Sequence, residues 1–370
     1  MEHINKIPLS YLCKSVPHPW LKSLRIVSNA VSPMIYPMQK CILPLLCLLM
    51  TAGLYAADGS KNSGKVPQES HPLAPPPPPR EVPIDPKLQD AARAELKAAV
   101  ASEDRIIRGH AIEAERQLFG DKAKDDVIKA LADAEPNVRF AAAMAVGDIK
   151  LAVAKDNLLK LIDDNDPNVR VAVRYALHRL GDFRFSHDLE RTAADPDPGV
   201  RGNTALVLGK LESSSALRLL APMRRDTEPA VRLQVAEALW RLGDERGLKT
   251  LVAASVSAYP DDVMIAYTAM AATKDPKLAG HIQAGLNNEY PEIALASARA
   301  MGDLGSDMGY GVALQGAKSK SPLHRYLAAM ALGAIGRNDA QDTLEQLLKD
   351  KDSADIRLAA AYALLQLGGK

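Results

Sequence analysis

The sequence predicts an all-α fold, an α-solenoid of about nine two-helix repeats of about 31 residues each. An apolar residue recurs at that step along most of the chain, and an arginine recurs at the same step in a second register. Apolar residues make up 47% of the chain, but aromatic residues make up only 4%. Small apolar side chains suit thin layers of closely packed helices, so the composition favours stacked helix pairs over one thick core.

Residues 1–57 are predicted to be an N-terminal extension followed by a secretory signal peptide. A basic residue precedes an apolar run at 41–50, and small residues follow that run. The run contains Pro44 and is shorter than the roughly 20 residues that a membrane-spanning helix needs. We therefore expect cleavage after Ala56 or Ala57, with no stable membrane span left in the mature chain.

Removal of this segment would change the chemistry of the chain. All three cysteines (Cys13, Cys41 and Cys47) lie in it, so the mature form would have no disulfide and no cysteine metal site. The remaining chain carries 41 basic and 44 acidic residues, which disfavours a nucleic-acid partner. We expect an exported protein of the bacterial periplasm or cell envelope. Met34 and Met38 are alternative start positions.

Residues 58–86 are predicted to be a disordered linker, because they are rich in Ser, Gly, Lys and Pro and include five consecutive prolines, Pro75 to Pro79. Such a stretch has no core to bury, and its proline run favours an extended left-handed helix. The repeat array is predicted to occupy residues 87–370.

Each repeat follows a common pattern that predicts a helix, a turn and a second, capped helix. The apolar register is Leu96, Val127, Leu158, Leu189, Leu220, Leu251, Ile282, Ala313 and Leu344. The arginine register is Arg108, Arg139, Arg170, Arg201 and Arg232, and after one-residue slips it reaches Arg325 and Arg357. Asp or Ser often stands four residues before the arginine, as an N-cap, with proline next. Glycines that fit C-caps are Gly181, Gly243, Gly305, Gly336 and Gly368.

Two segments carry a family resemblance, DPNVRVAVRYALHRLGD at 166–182 and EPAVRLQVAEALWRLGD at 228–244. They resemble HEAT repeats, and their short form is similar to the HEAT-like repeats of the phycobilisome lyases. The resemblance covers about residues 87–370 and implies a stacked helical solenoid. Its sixth repeat, around 259–264, departs most from the pattern and lacks the terminal glycine. Function does not follow from this fold alone, because such solenoids serve many tasks.

The sequence presents no catalytic residue, no cofactor-binding site and no metal site. Its histidines lack the i, i+4 spacing of a zinc-binding helix, and neither a phosphate-binding glycine loop nor a nucleophile elbow is present. The recurring arginines could form a ladder for anions. We favour a structural role, because the arginine opens the second helix of a repeat beside acidic turns.

A partner-binding strip is predicted on the concave face of the second helices. The positions one, five and eight residues after the arginine face away from the predicted core, yet many of them are apolar or aromatic, and arginines lie beside them. Large apolar patches on a surface usually mark binding sites. The predicted strip comprises Phe140, Met144, Tyr175, Arg179, Leu206, Leu233, Trp240, Arg241, Arg299, Tyr326, Met330 and Tyr362.

These features predict an exported, non-catalytic scaffold that binds a protein or peptide on its concave face and needs no cofactor. One alternative is an enzyme or enzyme subunit similar to the HEAT-like bilin lyases. A second is a nucleic-acid binder similar to the HEAT-like DNA glycosylases, and a third is a simple spacer. The last repeat ends without a polar capping helix, so we also expect weak self-association through the C-terminal repeat.

Overall fold

The computed structural model describes residues 76–369, which fold into α-helices and short 3-10 turns without a strand. Each repeat pairs a first helix (A helix) with a second one (B helix), as predicted. The A helices are α1 Pro86–Val100, α3 Lys124–Ala130, α5 Lys155–Lys160, α7 Leu189–Thr192, α9 Leu217–Met223, α11 Glu245–Ala254, α13 Ala279–Gln283, α15 Tyr310–Gly316 and α17 Gln341–Leu348. The B helices are α2 Arg105–Phe119, α4 Pro136–Ile149, α6 Pro167–Arg179, α8 Pro198–Lys210, α10 Pro229–Arg241, α12 Pro260–Ala272, α14 Pro291–Asp303, α16 Pro322–Ile335 and α18 Ala354–Gly368.

The recurring apolar residues form the contact between the two helices of each repeat. Every member of the register from Leu96 to Leu344 is at most 1% exposed. The B helices also pack on one another in chain order, from α2 to α18. A short helix pair buries its apolar face only when neighbours stack on it, which is why the array is continuous. No helix among residues 76–369 is long and apolar enough to span a membrane.

Local chemistry sets the helix ends, with three exceptions to the predicted caps. The side chains of Asp104, Asp166 and Asp197 accept hydrogen bonds from the backbone N–H two residues later, as N-caps do. Ser321 and Ser353 make no such bond. Four of the five predicted C-cap glycines have positive φ, but Gly368 is the last residue of α18 and does not.

Small residues control how closely neighbouring B helices approach. The position eight residues after the recurring arginine, or after Ala294 in the seventh repeat, is a glycine in four repeats: Gly147, Gly209, Gly302 and Gly333. A Cβ at any of them would lie within 2.9 Å of the next B helix. In the fifth repeat Trp240 occupies this position, and α10 and α12 pack less closely than α4 and α6 or α14 and α16 do. The bulky ring thus accompanies a loose seam between the fifth and sixth repeats.

The array closes on itself. The first helix, α1, packs along the last one, α18, and α18 also contacts α2. Residues of α1 share one hydrophobic cluster with the last repeats. The Gln89 amide donates to the Leu364 carbonyl at 2.5 Å, and the Arg357 guanidinium donates to Glu95 at 2.8 Å. The apolar end of the last repeat, which motivated the prediction of self-association, is therefore covered by α1 of the same chain.

The boundary of the array also differs from the prediction. Helix α1 begins at Pro86, and residues 76–85, predicted as part of a disordered linker, are extended and hydrogen-bonded to the last two repeats. The predicted signal peptide and the rest of the linker, residues 1–75, lie outside the described residues.

Candidate functional site

The recurring arginines bind neighbouring repeats together. Arg201 shows the arrangement, with two hydrogen bonds to the Asp226 carboxylate at 2.6 and 2.8 Å and two to carbonyls of its own turn. The same pairing joins Arg108 to Asp133, Arg139 to Asp164 and Arg325 to Asp350. These hydrogen bonds hold the pKa of the Asp226 carboxyl below its usual range, even though burial opposes this. Because these guanidinium groups are committed within the fold, the predicted structural role of the row is confirmed.

The row is interrupted at Arg170, which donates only to carbonyls of its own turn, and again from the fifth to the seventh repeat. Arg232 binds only the carbonyls of its own turn, and Ser257 stands where the next acid would be. The next two repeats lack the arginine. Their N-cap positions carry tyrosines instead of Asp or Ser, and Tyr259 and Tyr290 are 72% and 47% exposed. This edge of the array therefore presents aromatic side chains to solvent.

Most of the predicted strip is not exposed in the structure. Its apolar members other than Trp240 are at most 9% exposed: Phe140, Met144, Tyr175, Leu206, Leu233, Tyr326, Met330 and Tyr362. The neighbouring B helices cover them, because the array is tightly curved and closed. Tyr175, for example, lies against Gly147 of the preceding B helix, and its hydroxyl donates to Asp148 at 2.5 Å. A continuous apolar surface on the B helices is thus absent from the described part of the chain.

The three predicted arginines are held by groups of the chain itself. Arg179 donates to the Gly147 carbonyl at 3.3 Å, Arg241 donates to Glu237 at 2.7 Å, and Arg299 lies 3.9 Å from Asp303. Only Arg241 lies beside Trp240. The other ten members of the strip are spread through the interfaces between repeats.

Trp240 and Arg241 line an open cleft of about 540 Å³ at the loose seam between the fifth and sixth repeats. The cleft lies at the C-terminal ends of three consecutive B helices. Trp240 and Ala272 supply its apolar surface, and both are half-buried. Its remaining lining residues are Glu212, Gly243, Glu245, Thr273 and Asp275. The cleft thus combines a large aromatic ring with a polar rim.

The charges at the rim make the cleft acidic. Arg241 is its only basic lining residue, and Glu237, which is 3% exposed, binds that guanidinium through two hydrogen bonds. Glu212 and Glu245 are exposed, and their carboxylates have no hydrogen-bond or ion-pair partner among residues 76–369. Three carboxylates therefore surround an aromatic ring with their negative charge largely uncompensated.

The backbone at the rim holds unusual conformations. Four of the nine B helices are followed by a left-handed glycine, such as Gly243 with a φ of 81°. Glu212 and Lys274 occupy the equivalent turns at the cleft with φ of 53° and 58°, and Lys150 occupies another after α4 with a φ of 52°. A residue with a Cβ costs about 1 kcal/mol or more in this region, and such strain concentrates at functional sites. The turn at Glu212 places a carboxylate in the cleft, whereas the Lys274 ammonium donates to the Asp303 carbonyl of the following B helix.

The sequence matches the HEAT repeat family over residues 92–178, 188–272 and 278–365. The chain belongs to the HEAT repeat family. This confirms the resemblance seen in the repeat pattern. No curated protein sequence matches the chain.

Several solved structures are similar to this HEAT array in fold. The complex of CpcE and CpcF of phycocyanin lyase from Nostoc sp. PCC7120 is 18% identical, with a TM-score of 0.41, and the match covers 68% of this chain and 97% of that one. Human deoxyhypusine hydroxylase in complex with glycerol is also 18% identical, with a TM-score of 0.36, and covers 67% and 96%. Kap95p bound to RanGDP is 14% identical, with a TM-score of 0.33, and covers 75% and 44%.

A polar network elsewhere in the HEAT array is built for structure. Asp148 receives hydrogen bonds from Tyr175 and Lys210 and lies 3.4 Å from Arg116. Burial, followed by the charge of Asp148, raises the pKa of Tyr175, so this hydroxyl stays protonated as a donor. No group of three or more His, Cys, Asp or Glu residues within 76–369 is arranged to hold a metal ion.

Sequence reasoning missed part of the cleft. Glu212, Thr273 and Asp275 belong to the turns after B helices, which the strip hypothesis did not consider. The signal was present in the sequence, because two of these turns lack the glycine that other repeats place there.

Proposed function

We propose that this chain is a HEAT-repeat interaction scaffold and that the acidic cleft around Trp240 binds a basic, extended segment of a partner protein. The chain belongs to a family of stacked repeats whose members offer long surfaces for binding. The cleft is the observation that carries the finer proposal. It joins an accessible indole ring to three carboxylates at a seam where B helices are loosely packed.

The chemistry of the cleft suits a lysine or arginine side chain. A cation placed over an indole face gains about 0.5–2 kcal/mol, and tryptophan is the best of the aromatic rings for this contact. The carboxylates of Glu212, Glu245 and Asp275 would then bind the charged end or its neighbours. Uncompensated negative charge disfavours a nucleic acid in the same place.

Trp240 also provides a direct probe of binding. The chain contains two tryptophans, Trp20 and Trp240. The tryptophan fluorescence of a Trp20→Phe variant therefore reports on the cleft alone. A hexaarginine peptide should change the fluorescence of Trp240 and lose affinity as salt rises, whereas hexaglutamate should have no effect. Equal responses to both peptides would refute an acidic binding cleft.

Capture of the partner from a cell-envelope fraction tests the scaffold role. Trp240→Ala should weaken binding about 30-fold or more, as truncation of a buried aromatic anchor does. Tyr259→Ala is the matched control, because it removes an exposed aromatic ring from the opposite end of the B-helix layer. Loss of the partner with Tyr259→Ala and not with Trp240→Ala would move the binding surface to the tyrosine edge.

We also propose that the protein acts outside the cytoplasm, in a bacterial envelope. The basis is the charged, apolar and small-residue pattern of residues 1–57. N-terminal sequencing of the protein purified from its own cells tests this. A mature terminus close to Asp58 supports export, and an intact terminus in the cytoplasmic fraction contradicts it.

A further inference from the structure

The extended segment before α1 is held by side chains of the eighth and ninth repeats. The Arg337 guanidinium donates to the carbonyl oxygens of Pro77 and Pro78 at 2.6 and 3.1 Å. Further along, the Gln341 amide donates to the Pro83 carbonyl at 2.9 Å and accepts from the Asp85 N–H at 2.8 Å. One face of the repeats therefore binds the backbone of residues 77–85 at successive points.

A further backbone contact lies between the residues bound by Arg337 and those bound by Gln341. The Arg80 N–H donates to the Asp339 carboxylate at 3.2 Å. Ile84 packs on the hydrophobic cluster shared by α1 and the last repeats. The prolines themselves are mostly exposed, whereas the groups that bind them are not. Recognition thus depends on the backbone carbonyls and N–H groups of the segment.

The receiving groove is rigidly organised. The Arg337 guanidinium stacks on the Tyr310 ring, 3.8 Å from its centre, and donates to both Asp307 and Asp339. Arg337 is 7% exposed, Tyr310 is 2% exposed and Gln341 is 5% exposed. The Tyr310 hydroxyl donates to Asp339 at 3.0 Å. The Arg337 guanidinium that reaches Pro77 and Pro78 is therefore also held by groups of the repeats, which lowers the entropic cost of binding.

This arrangement matches the chemistry of a proline-rich ligand. A polyproline II segment makes no internal hydrogen bonds, so its carbonyls are available as acceptors, and it loses little entropy on binding. Domains that bind such segments present aromatic rings and fixed donors. Here an arginine fork stacked on a tyrosine contacts the carbonyls of Pro77 and Pro78, and a glutamine contacts the carbonyl of Pro83, five residues after Pro78.

We propose that the groove formed by Tyr310, Arg337, Asp339 and Gln341 is a binding site for extended proline-rich peptides, which residues 77–85 of the chain occupy in cis. A proline-rich segment of another protein would then compete with the chain's own segment. The site is separate from the acidic cleft and does not depend on it, since it lies on the eighth and ninth repeats. The ligand is recognised by a pair of proline carbonyls followed by a third.

The test uses the full chain and a fluorescently labelled peptide of residues 75–86. In a variant with Pro76, Pro77, Pro78 and Pro79 all replaced by glycine, the cis segment loses its preference for the extended helix and vacates the groove. The peptide should bind this variant at least about tenfold more tightly than it binds the wild type, where the tethered segment competes at high effective concentration. Equal binding to both chains would overturn the proposal.

A matched pair of groove variants separates recognition from folding. On the glycine background, Arg337→Lys keeps the charge but removes the fork that reaches two carbonyls, and binding should fall about tenfold. Lys351→Ala, a substitution of an exposed residue in the following turn, should leave binding unchanged. A peptide in which alanine replaces every proline keeps the backbone carbonyls but lacks the preformed extended helix, so it should bind about tenfold more weakly. Unchanged binding with Arg337→Lys, or equally tight binding of the alanine peptide, would contradict recognition by this groove.

Hydrogen exchange in the wild-type chain provides a second readout. The N–H groups of Arg80 and Asp85 donate to side chains of the groove, so both should exchange slowly for residues outside a helix. Gln341→Leu should speed exchange at Asp85 without changing exchange in α10. Fast exchange at both positions in the wild type would show that the groove does not hold its own segment.

Discussion

The arginine row allows a quantitative prediction, because Arg201 and Arg232 differ in a single interaction. Both donate to two carbonyls of their own turn. Only Arg201 also binds an acid of the next repeat, Asp226, through two hydrogen bonds. Replacing each arginine with alanine therefore removes the same carbonyl contacts, and the difference between the two variants isolates the ion pair.

The expected magnitudes follow from burial. The Arg201 and Asp226 side chains are only 14% and 8% exposed, and removal of one partner from a buried pair costs about 3–5 kcal/mol. Because both side chains keep some exposure, we expect Arg201→Ala to lower the free energy of unfolding by about 3 kcal/mol, the lower end of this range. Arg232→Ala loses two neutral acceptors that water can reach and should cost about 1 kcal/mol. With a urea slope of about 3 kcal/mol/M, these losses shift the unfolding midpoint by about 1 M and 0.3 M.

The assay is urea unfolding followed by circular dichroism at pH 7 and again near pH 3. Arg201 lowers the pKa of Asp226, so the pair contributes stability above the unfolded pKa of about 4 and loses it as pH falls below that value. The gap between the two variants should therefore shrink in acid. Equal losses at pH 7, or a gap that does not depend on pH, would refute a stabilising role for the ion pair.

Three further predictions concern the cleft, a buried acid and the closure of the array. Glu212→Gly relieves a left-handed backbone and should stabilise the fold by about 0.5–1 kcal/mol, while hexaarginine binding measured by Trp240 fluorescence weakens. Burial, followed by the charge of Asp126, raises the pKa of Glu115 to about 7, so its folded form binds a proton more readily than the unfolded chain. Stability should fall by on the order of 2 kcal/mol as pH rises from 5 to 8, and Glu115→Gln should flatten that dependence in thermal melts. Leu96→Ala, at a residue 1% exposed in the core shared with the last repeats, should cost about 3 kcal/mol and still give one unfolding transition. Two separate transitions would show that closure does not couple the ends.

The repeat architecture was predictable because each repeat encodes it locally. Proline after a cap, an apolar spacing of three to four and a terminal glycine act within one helix pair, and the same pattern recurs with each repeat. The register from Leu96 to Leu344 therefore identified the buried contact in all nine pairs. Local rules suffice here because most contacts join helices of the same repeat or of neighbouring repeats.

Closure could not be predicted in the same way. It depends on the rotation between neighbouring repeats summed over the whole array, and no single repeat encodes that sum. A glycine at 147 or 209 and a tryptophan at 240 each change the local approach of two helices. The strip hypothesis failed for the same reason. It assigned a free face to the B helices from helical spacing alone, whereas tight curvature buries Tyr175 and its equivalents against the next helix.

The position of Trp240 explains why one member of that strip remained accessible. The hydrophobic residues separate into two clusters, one spanning residues 112–239 and one that joins residues 88–114 to residues 236–367. Members of both clusters occur in α2 and α10, and the partly buried Val100 of α1 packs on both, so the closed array consists of two hydrophobic blocks that meet at these helices. Ala236 of α10 belongs to the second cluster together with Leu251 and Val263, so α10 links the two blocks through its contacts with α11 and α12. Trp240 lies at the loosely packed seam of α10 and α12 and, with Ala272, forms the apolar surface of the cleft, so a partner that binds there would act where the two blocks meet.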